Sequence, residues 1–407
     1  MNSQDKDHTN NDNQGISVVT EDNGQKKVII VSYFFYPENK PRAFRTYELV
    51  KEFSRRKYVV ELVLPNKTYF HNLAEFADNP FVRFTFIGKP IETSVNIGEG
   101  KAASNYIKGI DFIKKTYLYI NPFKKIIFFL LPLTRHFLKL KIRKDHKTNL
   151  ISISFPTITH YSFVIAKIFN RSLNNINCTI AEYSDPFATL EFASMMPLYK
   201  YLDKKVFQTF DYIVIPDKIA IQAYSSLGNL SKIRVIPQGF NLDDNKLENY
   251  KENPVLSFAY AGTFYKTYRD PSYFFDYLSK LDKDYIFYIF APSGNRSTED
   301  VLQQYRDVMN GKLIITYDTN RSDLLPLLSK MDFLINFENG SKTQTPSKLI
   351  DYAITMRPIL SLNNDSDYKS LFENFYNKNY TASTKIDLND YDIKNIVNSF
   401  EALFNEE

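Results

Sequence analysis

The sequence predicts an α/β protein built from two doubly wound domains. Short uncharged runs rich in β-branched residues alternate with longer amphipathic stretches, as strands and helices do in a parallel sheet. This alternation is interrupted at RVIPQGFNLDD and starts again at NPVLSFAYAG. With 407 residues the chain exceeds the usual domain size of about 100 to 200 residues, so two hydrophobic cores are expected.

The first domain is predicted to open with a buried parallel strand from Val28 to Tyr33. The following FRTYELVKEFSRR has apolar residues at helical spacing, and YVVELVLP then forms a second strand. Strand, helix and strand in this order make a right-handed βαβ unit. The alternation continues through VRFTFIG, a long basic helical region, NLISISFP, THYSFVIAKIF, CTIAEYS and a helix that ends near YIVIPDK.

The second domain is predicted from a fresh strand in NPVLSFAYAG, followed by helices at DPSYFFDYLSKL, RSDLLPLLSKM and PSKLIDYAITM and strands at YIFYIFAP, LIITY and DFLINF. Pro237, Gly239 and an acidic turn mark the hinge between the domains. The expected limits are a disordered tail at 1–25, a first domain at 26–236, a hinge at 237–244, a second domain at 245–390 and a terminal amphipathic helix at 391–407.

Composition is that of a folded globular protein, with 43% hydrophobic and 24% charged residues. Cys178 is the single cysteine, and the five histidines show no metal-ligand spacing, so we expect no metal and no cofactor. The tail lacks the pattern of a signal peptide, and no apolar run reaches the roughly 18 to 20 residues of a membrane span. A cytoplasmic location is therefore expected. A net charge of only +5 without a binding motif makes a nucleic-acid partner the weakest hypothesis.

The ligands of open parallel sheets bind at the carboxyl ends of the strands, where helix N-termini bind phosphates. One such loop carries Gly262 and Thr263 and then the cations Lys266 and Arg269. Glycine admits a ligand close to the backbone, and arginine donates a planar fork of hydrogen bonds to a diphosphate. The alternative interpretation is a tight turn with solvated cations.

A second loop places Ser347 and Lys348 in the first turn of a helix that begins near Pro346. A lysine there opposes the helix dipole, which an anionic ligand nearby would explain, although a surface lysine is an equal alternative. A third loop, in the first domain, places His160 in a first turn that Thr157 or Thr159 would cap. A lone histidine is more often a packed residue than a reactive one.

These segments resemble the retaining GT-B glycosyltransferases known as glycosyltransferase family 4. The likeness covers nearly all of residues 26–405 and rests on VIIVSYFFYPENKPRAFRTYELV, AEYSDPF, VIPQGFN and above all PSKLIDY with RPIL. It implies two Rossmann-like domains that face a central cleft, with a nucleotide-diphosphate sugar as donor. The implied acceptor is a saccharide or a lipid-linked saccharide of the cell envelope.

The resemblance also implies roles for residues of the second domain. Arg269 matches the second member of the family's basic pair, while Thr263 stands in place of the first and Lys266 is available as a substitute. Asp351 matches the carboxylate that contacts the ribose, and Thr343 stands where the family has a sugar-contacting carboxylate. Gly262, Ser347 and Lys348 complete the predicted donor site.

On the acceptor side, the loop ENKPRAFR lacks the family's glycine pair, so Arg42 and Arg45 are predicted to supply the contacts there. Asp185 is a further acceptor-side candidate, and His160 is predicted to lie near the reacting sugar. Arg269 and Lys348 are predicted to stabilise the leaving diphosphate without a metal. Two departures, at Thr263 and Thr343, leave open a catalytically inactive partner subunit of another transferase. A sugar-nucleotide epimerase is a further, weaker alternative.

The segment 114–147 carries ten Lys or Arg residues against one acid, Asp145. Bulky apolar residues lie among these cations, and Pro122 and Pro132 are expected to divide the segment into helical pieces too short to cross a bilayer. Such a segment is typical of shallow binding to an anionic membrane surface. The alternative is that its apolar residues cover the first sheet and leave the cations solvated.

Overall fold

The computed structural model describes residues 26–38, 40–71, 73–91, 127–184, 197–243, 247–265, 270–309, 311–338, 348–363 and 365–406. Two separate parallel sheets run through them, and strands alternate with helices as the predicted fold class requires. The helices Arg296–Arg306 and Tyr368–Tyr376 and the strand Ile359–Leu362 were not predicted. None of the helices in these ranges is long and apolar enough to span a membrane.

Seven parallel strands form the first sheet, in the order β3-β2-β1-β4-β5-β6-β7. They are β1 (Lys27–Val31), β2 (Val59–Lys67), β3 (Val82–Ile91), β4 (Thr148–Ile153), β5 (Cys178–Glu182), β6 (Tyr212–Ile215) and β7 (Ile233–Val235). Side chains alternate between the two faces, so that Ile29 and Val31 join one core and Val28 and Ile30 join the other. Burial on both faces explains the uncharged apolar run Val28–Val31 of β1.

Helices cover both faces of the first sheet: α1 (Pro41–Arg55), α2 (Ile127–Lys139), α3 (Ile158–Phe169) and α4 (Pro197–Thr209). Short 3₁₀ helices lie at Thr68–His71, Ala74–Phe76, Arg171–Asn175, Lys218–Tyr224 and Leu230–Lys232. Helix α2 packs Phe129, Leu133 and Phe137 into the same core as Phe163 of α3.

Five parallel strands form the second sheet, in the order β10-β9-β8-β11-β12. They are β8 (Ser257–Ala261), β9 (Ile286–Ala291), β10 (Leu313–Tyr317), β11 (Phe333–Phe337) and β12 (Ile359–Leu362). The helices are α5 (Ser272–Ser279), α6 (Arg296–Arg306), α7 (Arg321–Ser329), α8 (Lys348–Ile354) and α9 (Tyr368–Tyr376), with a 3₁₀ turn at Leu388–Tyr391. The core is aromatic: the Phe258 ring stacks on Phe287 and Phe333, with centroids 4.7 and 4.9 Å away.

The last helix, α10 (Ile393–Asn405), packs against the first domain. Its apolar face is the predicted one, because Ile393, Ile396, Val397, Phe400, Leu403 and Phe404 are all buried. The Phe404 ring stacks on Phe53 of α1 at 5.9 Å, and Arg56 binds Glu401. The chain therefore returns to its first domain after completing the second sheet.

Two chain segments connect the domains and run side by side. Phe240 of the predicted hinge pairs in parallel with Asp392, donating its N–H to the Tyr391 carbonyl and accepting from Ile393 N–H. A Cβ on Gly239 would lie 2.6 Å from the terminal methyl carbon of Ile393 and 3.1 Å from its Cα, so a larger residue would have to displace Ile393. We call residues 237–243 and 391–393 the crossover. The proposed domain limits at 236, 244 and 390 stay predictions.

Two local expectations were wrong. Pro132 does not break its segment, because it lies inside the continuous helix α2. Packing of the flanking residues Phe129, Leu133 and Phe137 offsets the backbone hydrogen bond that proline removes, a loss of about 3 kcal/mol. The first turn of α3 has no side-chain cap: Thr157 is the N-cap residue but has a helical backbone (φ −66°, ψ −11°).

Candidate functional site

The loop after β8 begins with Gly262, whose φ of +138° suits glycine and strains other residues. Its N–H donates to the Phe290 carbonyl at 2.9 Å, and an added Cβ would lie 3.2 Å from the Tyr260 hydroxyl oxygen. The Tyr260 hydroxyl in turn donates to the Thr263 carbonyl at 2.8 Å. Phe264 N–H donates to the hydroxyl of buried Thr298. These contacts fix the backbone of the loop at the carboxyl end of β8.

Lys348 lies next to this loop. It is the first residue of α8, and its Nζ lies 4.4 Å from the centroid of the Tyr260 ring, within the range of a cation–π interaction. On the same helix, the hydroxyl of Tyr352 accepts a hydrogen bond from Ala261 N–H at 2.7 Å. Helix α8 is thereby fixed to the end of β8, and the structure brings Gly262, Thr263 and Lys348 together.

Asp351 lies one turn further along α8, with 23% of its side chain exposed. Its Oδ1 accepts a hydrogen bond from Arg321 Nε at 2.8 Å. Burial raises the pKa of the Asp351 carboxyl, and the Arg321 charge and hydrogen bond oppose that rise. Arg321 is the first residue of α7, which follows β10, so both side chains lie at the carboxyl edge of the second sheet. Arg321 was not selected from the sequence, although it is a cation in the first turn of a helix, as the selected Lys348 is.

The remaining donor-site candidates Lys266, Arg269, Thr343 and Ser347 lie outside the described residues, as does the acceptor-side candidate Asp185. Their roles stay predictions.

His160 is fully buried at the carboxyl edge of the first sheet. Its Nδ1 lies 2.7 Å from the Ser152 hydroxyl, and its ring packs 4.7 Å from Tyr183. Its Nε2 has no hydrogen-bond partner in the part of the chain that the structure describes. Burial lowers the pKa of His160 to about 3, so the ring is neutral at pH 7. The ring is closed off from solvent in this conformation, and its contact with a sugar stays a prediction.

Arg42 and Arg45 converge on Glu182, the last residue of β5. Arg42 Nη1 and Arg45 Nε each lie 2.9 Å from the same oxygen, Oε1. Arg45 Nη1 also donates to the carbonyl of Pro237 in the crossover at 2.6 Å. The Arg45 side chain is 1% exposed, whereas Arg42 is 14% exposed. Arg42 therefore offers the more accessible cation, and the acceptor-side role of both residues stays a prediction.

Glu182 was not selected from the sequence. The sequence does place this carboxylate at the end of the buried strand CTIAE. Burying an unpaired charge there costs free energy, so a cation nearby was to be expected. Its partners lie 137 and 140 residues away in the chain, so no local pattern identifies them.

Two open cavities lie away from these strand ends. One of about 520 Å³ is lined by Glu48, Arg55 and Lys394, and another of about 630 Å³ by Tyr250 and Arg357 among others. Gly262, Lys348 and Asp351 line neither cavity. Across the described ranges, no cluster of three or more His, Cys, Asp or Glu side chains could hold a metal ion. Metal-free chemistry stays a prediction.

Comparison with solved structures identifies the class of fold as GT-B, two Rossmann-like α/β domains, which confirms the predicted fold. HepE from Anabaena in complex with UDP-glucose matches with a TM-score of 0.56 and 9% identity, covering 92% of this chain and 99% of HepE. The apo form of WaaB, a lipopolysaccharide outer core galactosyltransferase, has a TM-score of 0.56 and 10% identity, covering 93% of this chain and 99% of WaaB.

The N-terminal domain of trehalose-6-phosphate phosphatase from Candida albicans matches with a TM-score of 0.57 and 9% identity, over 93% of this chain and 96% of that one. Identities this low establish the fold and not the activity. No protein-family model and no curated protein sequence matches the chain.

Proposed function

We propose that the protein is a glycosyltransferase of the family 4 type. It takes a sugar from a nucleotide-diphosphate sugar and passes it, with retention of configuration and without a metal, to a saccharide or lipid-linked saccharide of the cell envelope. The observation that carries the proposal is the convergence of Gly262, Lys348 and Asp351 at the carboxyl edge of one parallel sheet. This edge is where open α/β sheets bind nucleotides.

Each residue of this group has a role that its chemistry allows. Gly262 lets the diphosphate approach the backbone, and Lys348 stabilises the charge that develops on the leaving diphosphate. Asp351 accepts hydrogen bonds from the ribose hydroxyls. Arg269 and Lys266 follow Gly262 in the chain and are proposed to complete the cation set, with Thr263, Thr343 and Ser347 as further donor contacts.

The acceptor is proposed to bind at the edge of the first sheet. Arg42 offers a partly exposed cation there, with Arg45 and Asp185 as neighbours in the proposed site. Arg45 itself is closed in by Glu182 and Pro237, so its proposed contribution is to hold Arg42 and the crossover in place. His160 is proposed to approach the reacting sugar once a ligand rearranges this edge.

The test of donor binding is a thermal-shift panel of UDP-, GDP- and CMP-sugars, because a ligand that binds the folded state raises the melting temperature. One donor class is expected to stabilise the protein. Lys348→Ala and Arg269→Ala are each expected to weaken that binding about tenfold or more, since a charge-assisted contact to phosphate contributes roughly 1.5 to 3 kcal/mol.

Lys330→Ala is the matched control. It removes the same charge from the same domain, but Lys330 is exposed and lies at the amino end of β11, beside Glu248. Equal binding by wild type, Lys348→Ala and Lys330→Ala would remove Lys348 from the donor site. Failure of every sugar nucleotide to shift the melting temperature would overturn the donor proposal.

A catalytically inactive partner subunit is the second candidate, and the specific observation in its favour is Thr343 in place of a carboxylate. The two functions differ in turnover and not in binding. Release of nucleoside diphosphate from a donor that the panel identifies would exclude the inactive subunit.

We further propose that segment 114–147 attaches the protein to an anionic membrane surface. In its described part, Leu131 and Leu138 of α2 are 67% and 41% exposed, and Arg135 and Lys139 lie on the same helix. The opposite side of α2 covers the first sheet. The helix thus has one face for the core and a second that combines apolar and basic groups, as shallow membrane binding requires.

Cosedimentation with vesicles tests this attachment. The protein is expected to pellet with anionic vesicles at low salt and to be released at high salt. The double variant Leu131→Asp/Leu138→Asp should remain in the supernatant, while Val308→Asp, an equally exposed apolar site on the second domain, should behave as wild type. Equal recovery in the supernatant with anionic and neutral vesicles would refute attachment.

A further inference from the structure

Arg321 and Asp351 form an ion pair that joins two strand-end elements of the second sheet. The guanidinium uses its Nε, 2.8 Å from Asp351 Oδ1, and not the paired Nη atoms of a two-pronged contact. In the described part of the chain, Asp351 makes no other hydrogen bond through its carboxylate. One oxygen is thus held by the protein, and the other, Oδ2, is left to accept from a ligand.

The Arg321 guanidinium is also fixed on its other side. Its Cζ lies 5.4 Å from the centroid of the Phe240 ring, and Phe240 belongs to the crossover. Its Nη2 is buried without a hydrogen-bond partner among the residues that the structure describes. A planar guanidinium can pack on an aromatic ring and donate through its edge at the same time, which a lysine ammonium cannot reproduce.

We propose that Arg321 is a positioning residue, which orients the Asp351 carboxylate so that its second oxygen accepts hydrogen bonds from the two hydroxyls of a nucleotide ribose. The inference rests on the proposed function, because it takes the ligand of Asp351 to be a ribonucleoside diphosphate. Arg321 thus affects ribose binding only through the Asp351 side chain.

The short Asp351 side chain makes the direction of its carboxylate depend on the contact with Arg321. An aspartate has only one methylene between its backbone and its carboxylate, so the Asp351 carboxylate reaches only a short way from the helix. A short side chain gives the carboxylate few alternative positions, and the Arg321 contact selects one of them. The arginine also opposes the cost of burying the carboxylate charge.

This role predicts a pH dependence that a purely structural contact would not produce. Besides Asp351, the charged residues on α8 and on the two elements that pack against it are Lys348 of α8, Arg321 and Asp323 of α7, and Asp390 of the 3₁₀ turn at Leu388–Tyr391. Of these, Arg321 lowers the pKa of Asp351. Without Arg321, burial raises the pKa of Asp351 unopposed. The variant should therefore lose nucleotide affinity as pH falls from 8 toward 5.5, more steeply than wild type.

The experiment measures dissociation constants by calorimetry for UDP and GDP and for their 2′,3′-dideoxy counterparts. It compares the wild-type chain with Arg321→Gln, Arg321→Lys, Asp351→Asn and the Arg321→Gln/Asp351→Asn double variant, at pH 5.5 and 8. Arg306→Gln, an exposed arginine of α6, is the matched control. Thermal melts establish that each variant is folded.

Wild type is expected to bind the ribonucleotide about tenfold more tightly than the dideoxy form, which corresponds to one lost charge-assisted contact. In Arg321→Gln and in Asp351→Asn this ratio should fall to nearly one, and the double variant should be no weaker than the weaker single variant. Arg321→Lys should recover part of the ratio, and Arg306→Gln all of it.

Two results would overturn the inference while leaving donor binding intact: a wild-type chain that binds both nucleotide forms equally, or an Arg321→Gln variant that keeps the wild-type ratio. A folded Arg321→Gln variant with the pH dependence of wild type would also count against it. If no nucleotide binds to the wild-type chain, the proposed function fails, and this inference fails with it.

Discussion

The buried imidazole of His160 makes a quantitative prediction about acid stability. Its pKa is lowered to about 3 by burial, while an unfolded chain has an ordinary histidine pKa near 6.5. Below pH 6.5 the unfolded state therefore binds a proton that the folded state does not, so this group costs stability as pH falls. The contribution vanishes above pH 7, where the histidine is neutral in both states.

The magnitude follows from linkage. Each pH unit in this window costs about 1.36 kcal/mol per proton, so a fall from pH 6.5 to 5 removes about 2 kcal/mol of the free energy of unfolding. His160→Gln keeps a polar group within reach of Ser152 but cannot take up the proton. We therefore expect the variant to lose about 2 kcal/mol less than wild type between pH 7.5 and 5.

Urea unfolding at pH 7.5 and pH 5 provides the measurement, with the difference between the two pH values compared across variants. Phe163→Leu is the control, because Phe163 lies buried on the same helix and packs on Phe210, as His160 does. It should lower stability equally at both pH values. If His160→Gln shows the same loss between pH 7.5 and 5 as wild type, the imidazole is protonated or accessible in the folded state and the reasoning is wrong.

Two further substitutions probe the elements that shape the molecule. Gly262→Ala should lower the free energy of unfolding by about 1 to 3 kcal/mol because of the φ of +138°, and it should weaken donor binding by displacing the loop after β8. A urea titration measures the first effect and the donor panel the second. Unchanged donor binding would remove the loop from the site. Phe400→Ala should lower the free energy of unfolding by about 3 to 5 kcal/mol, because the ring is fully buried between α10 and the first domain. A loss under about 1 kcal/mol in the same urea titration would mean that α10 is not anchored there.

The elements that local pattern determines were predicted well. A run of apolar residues predicts β1, and an apolar face at helical spacing predicts α10. The buried residues of α10 are the predicted ones, whereas β1 ends at Val31 and not at the predicted Tyr33. Pro132 shows where local rules fail. Proline removes a backbone hydrogen bond from α2, but the burial of three core side chains on the same helix outweighs that loss. The extent of their burial cannot be predicted from the local sequence.

The candidate site was predicted in part for the same reason. Gly262 and Lys348 are marked by residue type and by their position at a strand end or a helix start, and they do lie together. Glu182 and Arg321 were missed, because their importance arises from pairing with residues far away in the chain. A buried charge has to find a partner, but only the folded chain determines which one.

A crystal structure of the protein with the nucleoside diphosphate that the panel selects tests the central claim most directly. The account predicts the diphosphate within hydrogen-bond distance of Lys348 and against the backbone at Gly262, with the ribose hydroxyls on the free oxygen of Asp351. A nucleotide bound elsewhere, for example in the cavity beside Tyr250 and Arg357, would contradict the proposed donor site at the carboxyl edge of the second sheet.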